Sequence, residues 1–245
     1  MTKKKIVIRM NSEDRKLSIV KAAAKIFSEN GYHGASVRQI AKAAHVSEAL
    51  LYRHFASKKA LYNSVGDCAE QQILALAREL KNRKPTALTL VQIVYHLVMM
   101  IHTGMPAGKE RQRRFERLLV YSFMENTKFA KMVFKLYHTE LAPIWKVCIE
   151  AAIKEKAMKR VCLSSENRMW FVHHLAMAVN ILHFSGESVF RYDGSHQKLA
   201  EEVVRFTLMG IGMTEQSINK YYKVSELEKD FRNILCQKEV RGMAL

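Results

Sequence analysis

Residues 36–55 read SVRQIAKAAHVSEALLYRHF, and this stretch decides the fold because it spells two short helices meeting at a tight turn. Val37, Ile40, Ala41 and Ala44 recur at helical spacing on one inward face, which leaves Arg38, Gln39 and Lys42 outside. Ser36 stands at an N-cap position, where its hydroxyl accepts from a free first-turn amide, and Ser47 offers the same cap to a second helix. Small residues are needed where two such helices cross, and Ala41 and Ala44 supply them. The turn requires a residue that tolerates a left-handed backbone. His45 holds that position; glycine is the easier choice, but histidine is among the few other types enriched at positive φ. The pattern predicts a helix-turn-helix, the arrangement that presents a short helix to a DNA groove.

Outward from this pair, the 245 residues are 49% hydrophobic and 26% charged, enough apolar content for a buried core and too much for disorder. With 3 Pro, 10 Gly and no sustained strand-like alternation, the chain reads as all-α. Its net charge of +17 favours a polyanionic partner, and residues 1 to 63 alone hold 13 Lys/Arg against 4 Asp/Glu. Cys68, Cys148, Cys162 and Cys236 lack CxxC spacing, which argues against a zinc knuckle or a disulfide framework and for a reducing, cytoplasmic setting. The apolar run of MTKKKIVIRM is too short for a signal-peptide core, so it reads as a frayed basic tail, the sharper alternative being an arm along DNA. Pro85 to Gly108 carries no charged residue, yet Gln92, His96 and His102 interrupt it and it closes before the ~20 apolar residues of a membrane span. It reads as a helix buried on most sides, with Pro85 in its first turn.

The remaining helices are expected at 13 to 30, ended by Asn30-Gly31, and from a Ser57 cap to Lys84. Others follow at 86 to 102, 109 to 125, 127 to 141 and 144 to 159, with Asn126 as a cap and Pro143 at a break. Two long ones close the series, 166 to 185 behind Ser164 or Ser165 and about 196 to 213.

From Ile19 to Tyr62 the sequence includes AAAKIFSENGYHGASVRQIAKAAHVSEALLYRHFASKKALY, and over this length it resembles the N-terminal domain of the TetR family of bacterial transcriptional regulators. The resemblance rests on the Phe27-to-Gly31 helix end, the Ser36-to-Ala43 helix, the Val46-Ser47 turn exit, and Leu51-Tyr52-x-His54-Phe55 followed by Ser57-Lys58. It implies a DNA-binding domain at 1–56 and a helical ligand-binding and dimerisation domain at 57–245, the last long helices of two subunits forming a four-helix bundle. It also implies a regulator, by family habit a repressor, that leaves its operator when a small effector binds. Leu50 stands where the family usually has a small or hydroxylated residue, a departure that bears on the operator and not on the fold.

A recognition helix offers side chains to base edges near its N-terminus and donors to the flanking phosphates. Ser47, Glu48, Ala49, Leu50, Arg53 and His54 are the candidates on the second helix, and Arg38 on the first can reach guanine O6 and N7. Ala49 and Leu50 suit a thymine methyl and Glu48 a cytosine N4, while Ser36, Tyr52, His54 and Lys58 suit phosphates. Arg and Lys on short helices more often form a solvated face, and a helix pair alone can serve protein contacts. Agreement among caps, turn, exposed arginine, aromatic residue and charge favours double-stranded DNA.

For dimerisation, Phe171, Leu175, Ala178 and Leu182 form one face of the helix at 166 to 185, opposite Trp170, Met177, Ile181 and Phe184. Leu199, Val203, Phe206, Gly210 and Met213 form a seam on the next helix. For a lipophilic small-molecule effector the candidate pocket residues are His96, Met100, Phe123, Phe134, Trp145, Trp170, His173 and Met177, although such stripes are usually packing. No metal or cofactor is expected: His173 and His174 point about 100° apart and His96 to His102 is a poor chelating interval. The run Lys109, Arg111, Arg113, Arg114, Arg117 reads as a solvated face, or as one that holds an acidic ligand such as an acyl-CoA or approaches DNA. GxSxG, P-loop, GxGxxG and HExxH motifs are absent, so no enzyme is expected. The alternative reading is a basic helical module at a membrane surface or protein interface without sequence-specific DNA binding.

Overall fold

The computed structural model describes residues 11–103, 109–125, 127–184 and 192–236. Among them it is all-α: α1 Ser12–Gly34, α2 Val37–Ala43, α3 Glu48–His54, α4 Lys58–Lys81, α5 Ala87–Thr103, α6 Lys109–Met124, α7 Lys128–Leu136, α8 Ala142–Lys154, α9 Ser165–Phe184, α10 His196–Gly210, α11 Glu215–Tyr221 and α12 Val224–Cys236. The only extended pairing among these residues is an isolated bridge between Met158 and Met213.

Local chemistry starts most of these helices. Asn11, Ser36, Ser47, Ser195 and Thr214 each accept a first-turn amide with the side chain, as do Ser57 ahead of α4 and Ser164 ahead of α9. The cap of α5 is Thr86, whose hydroxyl takes the amide of Thr89 at 3.1 Å, so Pro85 lies just outside the helix and not in its first turn. The break expected at Pro143 is instead a π-helical turn, Tyr137–Leu141, joining α7 to α8, with Pro143 in the first turn of α8. Proline has no amide to close an α-type bond onto the preceding turn, and the backbone widens there without breaking. The helix expected to reach 159 ends at Lys154, because Lys156 takes a left-handed φ of 57° and the amide of Ala157 turns back to the Ala152 carbonyl. The cap expected at Asn126 lies outside the described residues.

Packing divides the chain into two compact units. The first comprises described residues 11–69, 117–125 and 127–130, and the second 70–103, 109–116, 131–184 and 192–236. This division follows packing, whereas the boundary between 56 and 57 is drawn by role. In the first unit α1 packs on α2 and α2 on α3, with Ile19, Phe27, Ile40, Leu51 and Leu61 fully buried. Tyr62 meets Phe27 and Tyr32 with ring centroids 5.0 Å from each, an edge-on geometry that locks α1 to α4.

The second unit is built around α5, which packs against α8, α9, α10, α11 and α12. Its residues from Ile93 to Met99 are all buried, as a helix enclosed on most sides requires. No helix among the described residues is long and apolar enough to cross a membrane. Arg168 is buried and donates to the carbonyls of Val161, Leu163 and Ile211, tying the irregular segment after α8 to the ends of α9 and α10.

Candidate nucleic-acid interface

The α2–α3 pair is closed by its own backbone. Ser36 Oγ accepts from the Gln39 amide at 3.2 Å while Gln39 Oε1 accepts from the Ser36 amide at 2.8 Å, a reciprocal capping box. Sequence reasoning left Gln39 on the outside without this role, although Ser36-x-x-Gln39 is itself the signal. At the other end of α2, His45 takes φ 54°, its amide donates to Lys42 O at 3.2 Å and the Val46 amide donates to Ala41 O at 3.0 Å. That pair of bonds around a left-handed residue is a Schellman turn, so histidine performs there the task glycine usually does. Ser47 then caps α3 by accepting from Leu50 N at 3.1 Å.

This geometry sorts the candidates. Leu51 is fully buried and anchors α3, while Ser36, Arg38, Ser47, Glu48, Ala49, Tyr52 and Arg53 are exposed and Leu50, His54 and Lys58 half-buried. One exposed cation, Arg53, and a hydroxylated aromatic, Tyr52, thus stand on one short helix, with Arg38 on the helix before it. Lys58 is already engaged: its ammonium lies 4.7 Å from the Tyr32 ring centroid and 3.4 Å from the His33 carbonyl.

Behind the α2–α3 pair lies a support that the sequence did not announce. Gly31 interrupts α1 with φ 70°, ψ 178°, and Tyr32–Gly34 form a separate last turn. The Glu125 carboxylate accepts from the amides of Tyr32 at 2.7 Å and His33 at 3.1 Å, and Tyr121 Oη donates to Glu29 O at 3.2 Å. These partners are about ninety residues apart in sequence, so no local pattern points to them.

In the second unit, Leu76, Leu80, Ile93, Leu97, Tyr137, Leu141, Ile144, Trp145, Met169, Trp170 and His173 line a cavity of about 30 Å³. Three expected pocket residues, Trp145, Trp170 and His173, therefore line the same cavity. Phe134 sits beside them, its ring 5.4 Å from Trp170 and 5.5 Å from His173, while Met100 and Met177 are half-buried against the core. His96 lies elsewhere, 3.1 Å from Asp230 and stacked on Phe231, and Phe123 is 61% exposed in the other unit. The aliphatic lining was missed because at helical spacing it is indistinguishable from core. Burial drives the His173 imidazole down to about 3, with the neighbouring His174 adding to the shift, so it is neutral at pH 7. Its Nδ1 is buried without a hydrogen-bond partner. Burial also pushes the Tyr137 phenol up to about 12.

The two expected interface stripes fare differently. On α9, Phe171, Ala178 and Leu182 are exposed and Leu175 half-buried; Ile181, expected on the opposite face, is exposed with them. On α10 the seam divides: Phe206 and Gly210 are exposed, but Leu199, Val203 and Met213 are buried in the unit's own core. The stripe runs along the edge of the buried face centred on Ala200, Val204, Thr207 and Leu208, so only its C-terminal half is open, and Met213 lies beyond the helix end. Met209, not anticipated, is 54% exposed beside Phe206. Arg113 and Arg114 are half-buried, so the basic run of α6 is not a wholly solvated face.

Residues 19–65 match the family model of bacterial regulatory proteins, tetR family. Over 72 residues, 29% of this chain and 37% of the relative, the sequence is 38% identical to the HTH-type transcriptional regulator UidR of Escherichia coli (strain K12). Over 57 residues, 23% of this chain and 26% of the relative, it is 40% identical to the HTH-type transcriptional activator FasR of Mycolicibacterium smegmatis. The chain thus spans little more than a third of the length of the curated relatives it matches. The fold is similar to that of the ketosteroid transcriptional regulator KstR2 of Mycobacterium tuberculosis, with TM-score 0.58 and 18% identity over 86% of this chain and 100% of that one. It is also similar to the transcriptional regulator FadR from Bacillus subtilis in complex with stearoyl-CoA, with TM-score 0.56 and 17% identity over 80% of this chain and 98% of that one. These relatives are transcriptional regulators. With its capping box, Schellman turn and projecting α3, the segment 19–65 has the build of the N-terminal domain of the tetR family, whose model it matches.

Proposed function

We propose that this protein is a cytoplasmic transcriptional regulator, by family habit a repressor, that binds a palindromic double-stranded operator as a homodimer and leaves it when a small, largely apolar ligand binds. Residues 1–56 read the DNA in this account, and 57–245 hold the ligand and the dimer surface. The observation that carries it is the α2–α3 pair, in which Leu51 is buried while Arg38, Glu48, Ala49, Tyr52 and Arg53 project together. A second copy suits the exposed apolar stripe of Phe171, Ala178, Ile181 and Leu182 on α9 with Phe206 and Met209 on α10. Two readers spaced about 34–36 Å apart then enter successive major grooves. The cavity walled by Trp145, Trp170 and His173 favours an apolar ligand with one polar anchor. At about 30 Å³ it is far below the ~300 Å³ of a drug-sized site, so a ligand must push its helices apart. Displacement of that kind supplies the differential binding through which an effector shifts operator affinity. The FadR structure holds stearoyl-CoA, and an acyl chain fits the apolar wall in chemical class.

Selection of duplexes from a random pool, followed by mobility shifts across salt, tests the reading. A palindromic consensus and a log–log salt slope of several units are expected. Binding to anionic liposomes with no selection among duplexes is the outcome that rejects it. On the selected duplex, Arg38→Ala should relax preference at one base pair by ~1–3 kcal/mol, whereas Lys58→Ala should weaken all sequences alike and lower the salt slope by ~1. Reversed roles would show that base and phosphate contacts were assigned the wrong way round.

Phe206→Glu should yield monomers in sedimentation velocity, since a charge on a desolvated apolar face costs several kcal/mol on the order seen at buried interfaces. A dimer that survives this change would place the interface elsewhere.

A further inference from the structure

We propose that Tyr121 and Glu125 are positioning residues for DNA reading: together they clamp the chain across Gly31 and so fix the turn that delivers the first reader helix. The proposal rests on the DNA-reading role argued above.

The backbone makes the clamp necessary. Gly31 leaves the helical region, so Tyr32 and His33 open a new turn, and the first amides of a turn have no acceptor within it. Glu125 supplies both missing acceptors, 2.7 Å from the Tyr32 nitrogen and 3.1 Å from that of His33, as a capping residue would, but from a distant segment. On the other side of the break Tyr121 Oη donates to the Glu29 carbonyl. Tyr121 and Glu125 are four apart, and the Glu125 amide donates to Tyr121 O at 2.8 Å, so one helical face presents both groups. Only Ala35 separates this turn from the Ser36 cap of α2, so its pose sets the pose of Arg38.

Glycine is required at the centre for a second reason. A Cβ on Gly31 would lie 2.5 Å from Glu125 Oε1 and 3.0 Å from Tyr121 Cδ1, so the clamp closes where a side chain would stand. The Tyr32 and His33 amides lie at half-buried and exposed residues and can fall back on water if the carboxylate goes. The clamp therefore governs where the turn sits more than whether the unit folds.

The test compares wild type with Glu125→Ala, Glu125→Gln and Tyr121→Phe. Two readouts are taken: amide hydrogen exchange at Tyr32 and His33, and affinity for the duplex that wild type selects from a random pool, set against an unrelated duplex of equal length. Glu125→Ala should speed exchange at both amides and weaken the selected duplex about tenfold, the scale of a charge-assisted hydrogen bond replaced by water. The unrelated duplex should change less than about twofold, because its phosphate contacts do not depend on register. Glu125→Gln keeps one acceptor oxygen and should fall between; Tyr121→Phe should shift selectivity in the same direction by less. Unchanged exchange or unchanged selectivity in Glu125→Ala overturns the proposal, as does equal weakening on both duplexes, which would mark a merely structural role. A wild-type protein that selects no duplex overturns the DNA-reading role beneath it, whereas the exchange readout fails only if the clamp itself is wrong.

Discussion

Gly31→Ala is expected to destabilise the unit containing the reader by about 3 kcal/mol in urea unfolding, far more than an alanine usually costs in a helix. The backbone at Gly31, φ 70° and ψ 178°, lies in a region essentially confined to glycine, where any other residue carries ~1–3 kcal/mol of strain. The new methyl would also meet Glu125 Oε1 at 2.5 Å. That oxygen ends a flexible side chain and can swing away, but only by releasing the amides of Tyr32 and His33. Two charge-assisted hydrogen bonds then revert to water at a net loss on the order of 1–2 kcal/mol. The two parts separate in a double-mutant cycle with Glu125→Ala. If the clash contributes, the double variant should be less destabilised than the two singles added together, by about 1 kcal/mol, because the carboxylate that must move is already gone. Strict additivity would leave backbone strain as the whole cost.

The α2–α3 pair was legible because its signals are local: two serines cap, two alanines allow the crossing, and His45 takes the positive φ that the turn demands. Asn30-Gly31 was legible as a helix end for the same reason, yet the glycine's other task, making room for Glu125, depends on a partner 94 positions away. Pro143 misled because a proline's missing amide can be absorbed by a π-helical turn as well as by a break, and only the surrounding packing decides. On α10, periodicity correctly grouped Leu199, Val203 and Phe206 on one side. It could not reveal that neighbouring helices cover the first two and leave the third open. Among the pocket candidates the aromatic residues drew attention away from aliphatic walls such as Leu76 and Ile93, whose chemistry is identical to that of core.

Replacing His173 by leucine should leave the protein more stable than wild type at pH 7 and progressively more so as the pH falls. The imidazole is 3% exposed against Trp145 and Trp170, and its Nδ1 has no partner, a desolvation cost of roughly 1–3 kcal/mol that leucine removes. Burial, and then the charge of His174, depresses the folded-state value to about 3 from the 6.5 of an unfolded histidine. The unfolded chain therefore binds the proton first. Stability that is complete above pH 6.5 is lost as the pH falls towards 3, and each pH unit in that window costs about 1.4 kcal/mol at most. At pH 4.5 wild type should accordingly lie up to about 3 kcal/mol further below the leucine variant than at pH 7. His96, also lowered by burial, titrates in both proteins and cancels in the difference. Chemical denaturation from pH 7 to 4 measures the gap; a difference independent of pH, or a variant less stable at pH 7, would show that the imidazole is paired or hydrated in solution. A polar group kept in an apolar cavity at a cost in stability is accounted for by a task other than folding. Under the function proposed here, that task is to give an apolar ligand its one directional contact, so the variant that folds best should also respond least to the effector.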